Sequence, residues 1–209
     1  MLDVRKIRLT LELRESGIFD SKVLSAIEKI PREIFIPKNF RNQAYENIAL
    51  PIGNDQTISQ PYIVALMTQE LELQKKHKVL ELGTGSGYQC AILSLLARRI
   101  YTIERIKSLL VNAENIFKNL KLTNIVTKHN DGNLGWKEQI PFDRVIFTAA
   151  TKQIDENFFE HIDDNGILIA PIIDNSNQVL KKFIKKNGKI IEKTLTNVVF
   201  VPNLRGVKN

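Results

Sequence analysis

The stretch Lys78-Val-Leu-Glu-Leu-Gly-Thr-Gly-Ser-Gly-Tyr88 leaves few folds open to this chain. A short apolar strand runs into glycines at every second position, and an apolar segment of helical character, Tyr88 to Ala97, follows. Glycines in such a turn permit positive φ and let a ligand approach the backbone closely. The helix opening behind them offers unpaired amides to that ligand. Further strands are expected at Arg99–Ile103, Asn124–Lys128, Phe142–Thr148 and Ile167–Pro171, with an amphipathic helix from Ile106 to Leu120. Gln178–Lys185 and Lys189–Val201 read as a closing antiparallel hairpin around Asn187-Gly188.

Alternating strands and helices predict an α/β fold. The sheet should be doubly wound, mostly parallel and Rossmann-like, with both faces covered. The order of its last strands is left open. Ahead of it, residues 1–15 and Ser21–Ile30 suit helices, the second stopped by Pro31. Residues 32–61 are irregular, punctuated by Pro37, Pro51, Gly53 and Pro61, and a helix from Tyr62 to Leu73 follows. A loop-rich segment this long in a compact chain usually carries function. The 209 residues suit one domain, with an extension over 1–73 and a cofactor-binding core over 74–209.

The net charge of +7 is spread along the chain. It reads as solvated surface lysine and not as a nucleic-acid footprint. The densest cluster, Lys181, Lys182, Lys185, Lys186 and Lys189, is expected on the outer side of the late hairpin. No apolar run approaches the ~18 residues of a membrane span, and Met1 to Arg8 has no signal-peptide core. The single cysteine, Cys90, forms neither an intrachain disulfide nor a cysteine cluster. A cytoplasmic protein is the expectation from these features. His77, His129 and His161 are not spaced as metal ligands, so no metal site is expected.

Three acids narrow the ligand. Glu81 lies just inside the strand before the glycines, placed to face an ammonium group or to hold the loop. Glu104 ends the next strand, 21 residues after Gly83, where an acid accepts both hydroxyls of a ribose. Asp131-Gly132 follows the third strand, where a carboxylate accepts an adenine amino group and backbone amides meet a ring nitrogen. Each has a plainer explanation: a cap on loop amides, a pair with Arg105, and an ordinary turn. Together they line one crevice at the carboxyl ends of the strands. With G-x-G-x-G spacing in place of G-x-G-x-x-G, they point to S-adenosyl-L-methionine (AdoMet). The expected cofactor set is Glu81, Gly83, Thr84, Gly85, Glu104, Arg105, Asp131 and Gly132.

The acceptor is narrowed first by exclusion. Thr148-Ala-Ala-Thr151 follows the fourth strand, where base-amino methyltransferases carry an Asp/Asn-Pro-Pro-aromatic tetrapeptide. Cys90 sits in the helix after the glycines and reads as packing, not as a nucleophile. The segment Ala44-Tyr-Glu-Asn-Ile-Ala-Leu-Pro-Ile-Gly-Asn-Asp-Gln-Thr-Ile-Ser-Gln-Pro61 is the informative one. With the glycine loop, Asp131-Gly132 and Val199-Phe-Val-Pro202, it resembles the protein-L-isoaspartate O-methyltransferase family from about Leu24 to Gly206. That resemblance implies methyl transfer from AdoMet to the free carboxylate of an L-isoaspartyl residue in a damaged protein. The ester then closes to a succinimide, which hydrolyses partly to aspartate. It further implies Ser59 as the active-site hydroxyl, with Gln56, Thr57 and Ile58 along the cofactor crevice. Isoaspartyl proteins and peptides are the expected partners of a monomer.

Several positions depart from the family pattern: Asn47, the pair Asn54-Asp55, Thr151 to Asp155, and Ile172-Ile173 after Pro171. They bear on loop shape and acceptor fit more than on the cofactor. Two alternatives stay open: an AdoMet-dependent enzyme acting on RNA or a small molecule, and a weakly active AdoMet-binding relative.

Overall fold

The computed structural model describes residues 3–209. Helix α1 (Val4–Glu15) starts on an Asp3 cap and α2 (Ser21–Lys29) on an Asp20 cap. Two three-ten turns, Arg32–Phe35 and Lys38–Gln43, lead into a small hairpin of β1 (Leu50–Gly53) and β2 (Gln56–Ile58). Helix α3 (Pro61–Glu70) has Pro61 in its first turn, where the missing N–H costs nothing. The order continues β3 (Lys78–Leu82), α4 (Tyr88–Ser94), β4 (Arg99–Glu104), α5 (Lys107–Asn119), β5 (Ile125–His129), β6 (Phe142–Phe147), β7 (Ile162–Asp174), β8 (Asn177–Lys186) and β9 (Lys189–Asn197).

The hairpin inside 44–60 is the first departure from expectation. Its turn residues Asn54 and Asp55 have φ of 53° and 59°. Asn and Asp enter the left-handed region more readily than other side chains, so the pair supplies a conformation that glycine would otherwise provide.

Seven strands form one sheet in the order β5-β4-β3-β6-β7-β8-β9. β3 pairs in parallel with both β4 and β6, β4 with β5, and β6 with β7, while β7–β8 and β8–β9 are antiparallel. The chain runs outward through β4 and β5 and returns to β6 on the far side of β3. That reversal opens a crevice at the carboxyl end of β3. The closing unit is thus two hairpins. β7 is longer than the expected Ile167–Pro171 because Ile162 to Gly166 lies within the strand, across a register shift against β6, and because the strand continues to Asp174. Asn187 and Gly188 take φ of 50° and 71° in the second turn, as the sequence predicts.

Strand residues alternate between two cores. Val79, Ile100, Ile146 and Ile169 pack with side chains of all five helices. Leu80, Ile103, Val145 and Leu168 pack on the opposite face under Trp136 and Phe158, which come from short connecting segments. Both faces are covered, the second by three-ten turns and loops. Leu9 and Leu13 of α1 share the first cluster with the sheet. The basic cluster needs correcting: Lys182 is only 4% exposed and bonds Glu70 and Glu72, at 3.1 and 2.5 Å. It shares the inner face with Leu180, two residues before it on β8. Lys181 pairs with Glu192, and Lys185 donates to two backbone carbonyls. No helix among the described residues is long and apolar enough to cross a membrane.

Candidate active site

The glycine loop is fixed by the strands around it. Gly83 N–H donates to the Ile103 carbonyl at 2.8 Å, and Thr148 N–H to the Leu82 carbonyl at 3.0 Å. Gly83 has φ +98°, and a Cβ there would run into the Thr148 hydroxyl. Gly87 starts α4 at φ +88°, where a Cβ would press on the Phe117 ring. Any other residue at either place brings both strain and a clash.

Period-2 alternation puts Glu81, Thr102 and Glu104 on the helix face, with different outcomes. Glu104 reaches the loop: its two oxygens accept from Gly85 N–H at 2.9 Å and Ile106 N–H at 2.8 Å. Glu81 lies one layer deeper and is fully buried. It accepts the Thr102 hydroxyl at 2.6 Å, and Thr102 is hydrogen-bonded to Thr84 at 2.7 Å, so Glu81 meets the loop through a two-hydroxyl relay. Burial, reinforced by the charge of Glu104, pushes the Glu81 carboxyl up to about 8. Burial also raises the neighbouring Cys90 thiol, with Glu81 adding to the effect. Cys90 is therefore an inert packed thiol in this setting.

A cleft open in part to solvent lies over the loop. Gln56, Thr57, Ile58 and Ser59 form one wall, and Gly83, Thr84 and Gly85 the floor. Glu104, Arg105 and Gly132 close one end, and Val64, Met67 and Tyr88 add apolar surface. A second recess, lined by Ala49, Gln60, Ile63 and Asn197 to Phe200, adjoins it. The two share Thr57, Ser59, Thr148 and Phe200. Ser59 does not cap α3: the capping position is Gln60, and no side chain bonds there.

Residues 200–208, after β9, form a strap that lines the cleft through Phe200, Pro202, Asn203 and Leu204. Its backbone pairs with Ala150 at Val201 and Asn203, and Lys208 bridges Ile106. Asp131 accepts Gly206 N–H at 2.7 Å, and Arg105 donates to the Gly206 carbonyl at 3.0 Å. Burial alone would raise the Asp131 carboxyl, but amides of Gly206 and Asn133 outweigh it and hold the group below its ordinary value.

A family model described as protein-L-isoaspartate(D-aspartate) O-methyltransferase matches residues 4–208. The chain belongs to that family. It is 48% identical over 204 residues to a protein-L-isoaspartate O-methyltransferase of Maricaulis maris (strain MCS10), covering 98% of this chain and 96% of that one. A solved structure from Plasmodium falciparum, described as a putative protein-L-isoaspartate O-methyltransferase in complex with S-adenosyl-L-homocysteine, is similar at a TM-score of 0.84. Its identity is 26%, with 94% of this chain and 97% of that one covered. Another structure named protein-L-isoaspartate O-methyltransferase gives a TM-score of 0.86 at 26% identity, over 94% of this chain and 65% of that chain's length.

Against the sequence expectations, ten of the named residues line the cleft: Gln56, Thr57, Ile58, Ser59, Gly83, Thr84, Gly85, Glu104, Arg105 and Gly132. Glu81 and Asp131 lie outside its lining. The carboxylate of Asp131 is taken up by Asn133 and Gly206. Sequence reasoning passed over Thr148, Phe200, Asn203 and Leu204 as site residues. Thr148 carries a usable signal, since it follows the strand that returns beside β3. Phe200 lies in the Val199–Pro202 segment that carries part of the family resemblance, whereas Asn203 and Leu204 carry no signal of their own.

Several family departures have local explanations. Asn47 accepts Tyr62 N–H and donates to Glu12, both at 2.9 Å, where an Asp would set two carboxylates together. Thr151 pairs with the backbone of Pro171 and Ile173, so Ile172-Ile173 continues β7.

Proposed function

We infer that this chain is an AdoMet-dependent enzyme that methylates the free carboxylate of L-isoaspartyl residues in damaged proteins and peptides. Family membership over residues 4–208 carries the reaction, and AdoMet is the cofactor, in line with the S-adenosyl-L-homocysteine bound in the structure from Plasmodium falciparum. The residue roles below are proposals, supported by two recesses that meet at Ser59 and Thr148.

Positive φ at Gly83 and Gly85 opens the floor of the cleft to close approach, and Glu104 is the one acid in its lining. Glu104 is assigned the ribose hydroxyls, with lone pairs left over after its two amide bonds. Gly132, which ends the cleft, is assigned the adenine edge. Asp131, Arg105 and Glu81 are given holding roles: the first two secure the strap, and Glu81 steadies the loop through Thr102 and Thr84. Gln56, Thr57 and Ile58 form the wall facing the methionine portion.

Bound there, AdoMet supplies an electrophilic methyl group on sulfur. The acceptor carboxylate, with an ordinary pKa near ~4, is ionised at neutral pH and needs no general base. The recesses contain none of the usual base pairs. Their task is alignment and the exclusion of water. Ser59 donates its hydroxyl to one carboxylate oxygen and leaves the other free to attack. A neutral donor fits this step, because opposite charges on acceptor and sulfonium cancel as the bond forms. Val199, 94% exposed on the rim of the second recess, offers apolar contact to the flanking polypeptide.

The same proposal takes the chain as a cytoplasmic monomer of one functional unit, residues 1–73 bringing the acceptor loop to the core of 74–209. It is tested with labelled AdoMet and two peptides that differ only in an isoaspartyl or aspartyl linkage. Alkali-labile label is expected on the first alone. Equal labelling of both, or none on either, would overturn it.

A further inference from the structure

Arg32 is 0% exposed, yet the guanidinium has no carboxylate within ion-pair distance among the described residues. Its Nη2 donates to the Ile48 carbonyl at 3.2 Å. Nε and Nη1 have no partner, and neither does the buried hydroxyl of Tyr88, whose ring centre lies 5.0 Å from the guanidinium carbon. Burial draws the Arg32 pKa down to about 10, which leaves it charged at neutral pH. A buried cation with one neutral acceptor and one aromatic face is expensive. An apolar side chain of similar length would serve the core at least as well.

What the cation touches explains it better. Ile48 lies two residues before β1, and Leu50 pairs with Ile58, which hands the chain to Ser59. Asn47, beside Ile48, accepts the N–H of Tyr62 just beyond Ser59. Both tethers on the Ser59 segment therefore pass through residues 47–50, which Arg32 anchors. On its other side, Tyr88 lines the cofactor cleft. Phe35, from the same three-ten turn as Arg32, meets the Tyr88 ring edge-on at 5.4 Å.

We propose that Arg32 is a positioning residue for the methyl acceptor, clamped between the Ile48 carbonyl and the Tyr88 ring so that Ser59 keeps its place in the wall where the two recesses meet. Its kinetic consequence rests on the function proposed above; its structural consequence does not.

The test compares Arg32→Met and Arg32→Lys in the full chain. Amide hydrogen exchange over residues 50–59, S-adenosyl-L-homocysteine affinity, and kcat and KM on an isoaspartyl peptide are measured together. Arg32→Met should keep its Tm within a few degrees of the parent and its affinity within about threefold, while exchange quickens and kcat falls by at least about tenfold. Arg32→Lys, which keeps a cation that can donate to Ile48, should recover most of both losses. Unchanged exchange and kcat in Arg32→Met overturn the proposal. So do parallel losses of affinity and kcat, or a lysine variant no better than methionine. Where Arg32→Met does not fold, Arg32→Gln takes its place with the same readouts. A parent protein inactive on the peptide sinks the assigned reaction, and exchange still decides the role of Arg32.

Discussion

The two halves of the site are built differently. The side assigned to the cofactor stands on strand ends at the centre of the sheet, and backbone hydrogen bonds among β3, β4 and β6 hold it, with Glu104 closing on Gly85. The side assigned to the acceptor is the small β1–β2 hairpin and its flanks, whose own ladder is short and which single side chains pin to the rest of the molecule: Arg32 on Ile48, and Asn47 between Glu12 and Tyr62. Backbone ladders follow from the fold itself, whereas each side-chain tether depends on one residue. The cofactor half should therefore tolerate damage to the acceptor half, and the two should fail separately.

The largest break on the cofactor side should come from Glu104→Ala. It removes the clamp on Gly85 and Ile106 together with the proposed ribose contact, so S-adenosyl-L-homocysteine affinity should fall about 100-fold by calorimetry. An unchanged dissociation constant would move the ribose elsewhere.

Glu81 probes the layer beneath. Its carboxyl keeps a proton in the folded state up to about 8, while the unfolded chain releases it near 4.5. Between those values the native state binds more protons, so stability falls as pH rises, by up to about 1.4 kcal/mol per pH unit. Glu81→Gln should flatten that slope in denaturant unfolding between pH 5 and 8 and leave acceptor KM unchanged. An equal slope in both proteins would mean that Glu81 does not ionise in this range.

Asp131→Asn is the smallest expected effect. It weakens the tether to Gly206 and should loosen cofactor binding only several-fold, on the order of 1 kcal/mol. Its carboxyl lies below the ordinary value, so the tether is present above about pH 4 and is lost as pH falls through the folded pKa. A loss as large as that of Glu104→Ala would give Asp131 a direct ligand contact.

Much of this architecture was legible in the sequence because strands and glycine turns leave local marks. The β3 boundaries, the glycine loop and the Asn187-Gly188 turn follow from apolar periodicity and from residues that accept positive φ. The short hairpin within 44–60 was not legible. Asn54 and Asp55 are as common in loops as in a tight turn, and two strands of four and three residues carry little periodicity. Direction of approach was also hidden. Glu81 and Glu104 each sit near a strand end, but only packing shows that one reaches the loop amides and the other is sealed behind Thr102. The bond from the Gly206 amide to Asp131 was hidden too, because sequence cannot show residue 206 arriving beside it. Arg32, between Pro31 and Glu33, gave no sign that it would be buried without a counter-ion.

Separability of the two halves is tested most directly by Ser59→Ala, with cofactor affinity and turnover measured on one preparation. The expected result is kcat on an isoaspartyl peptide reduced by roughly 10- to 100-fold, with S-adenosyl-L-homocysteine affinity within about threefold of the parent protein. Comparable losses in both quantities would contradict the account and make Ser59 part of the framework that holds the cofactor.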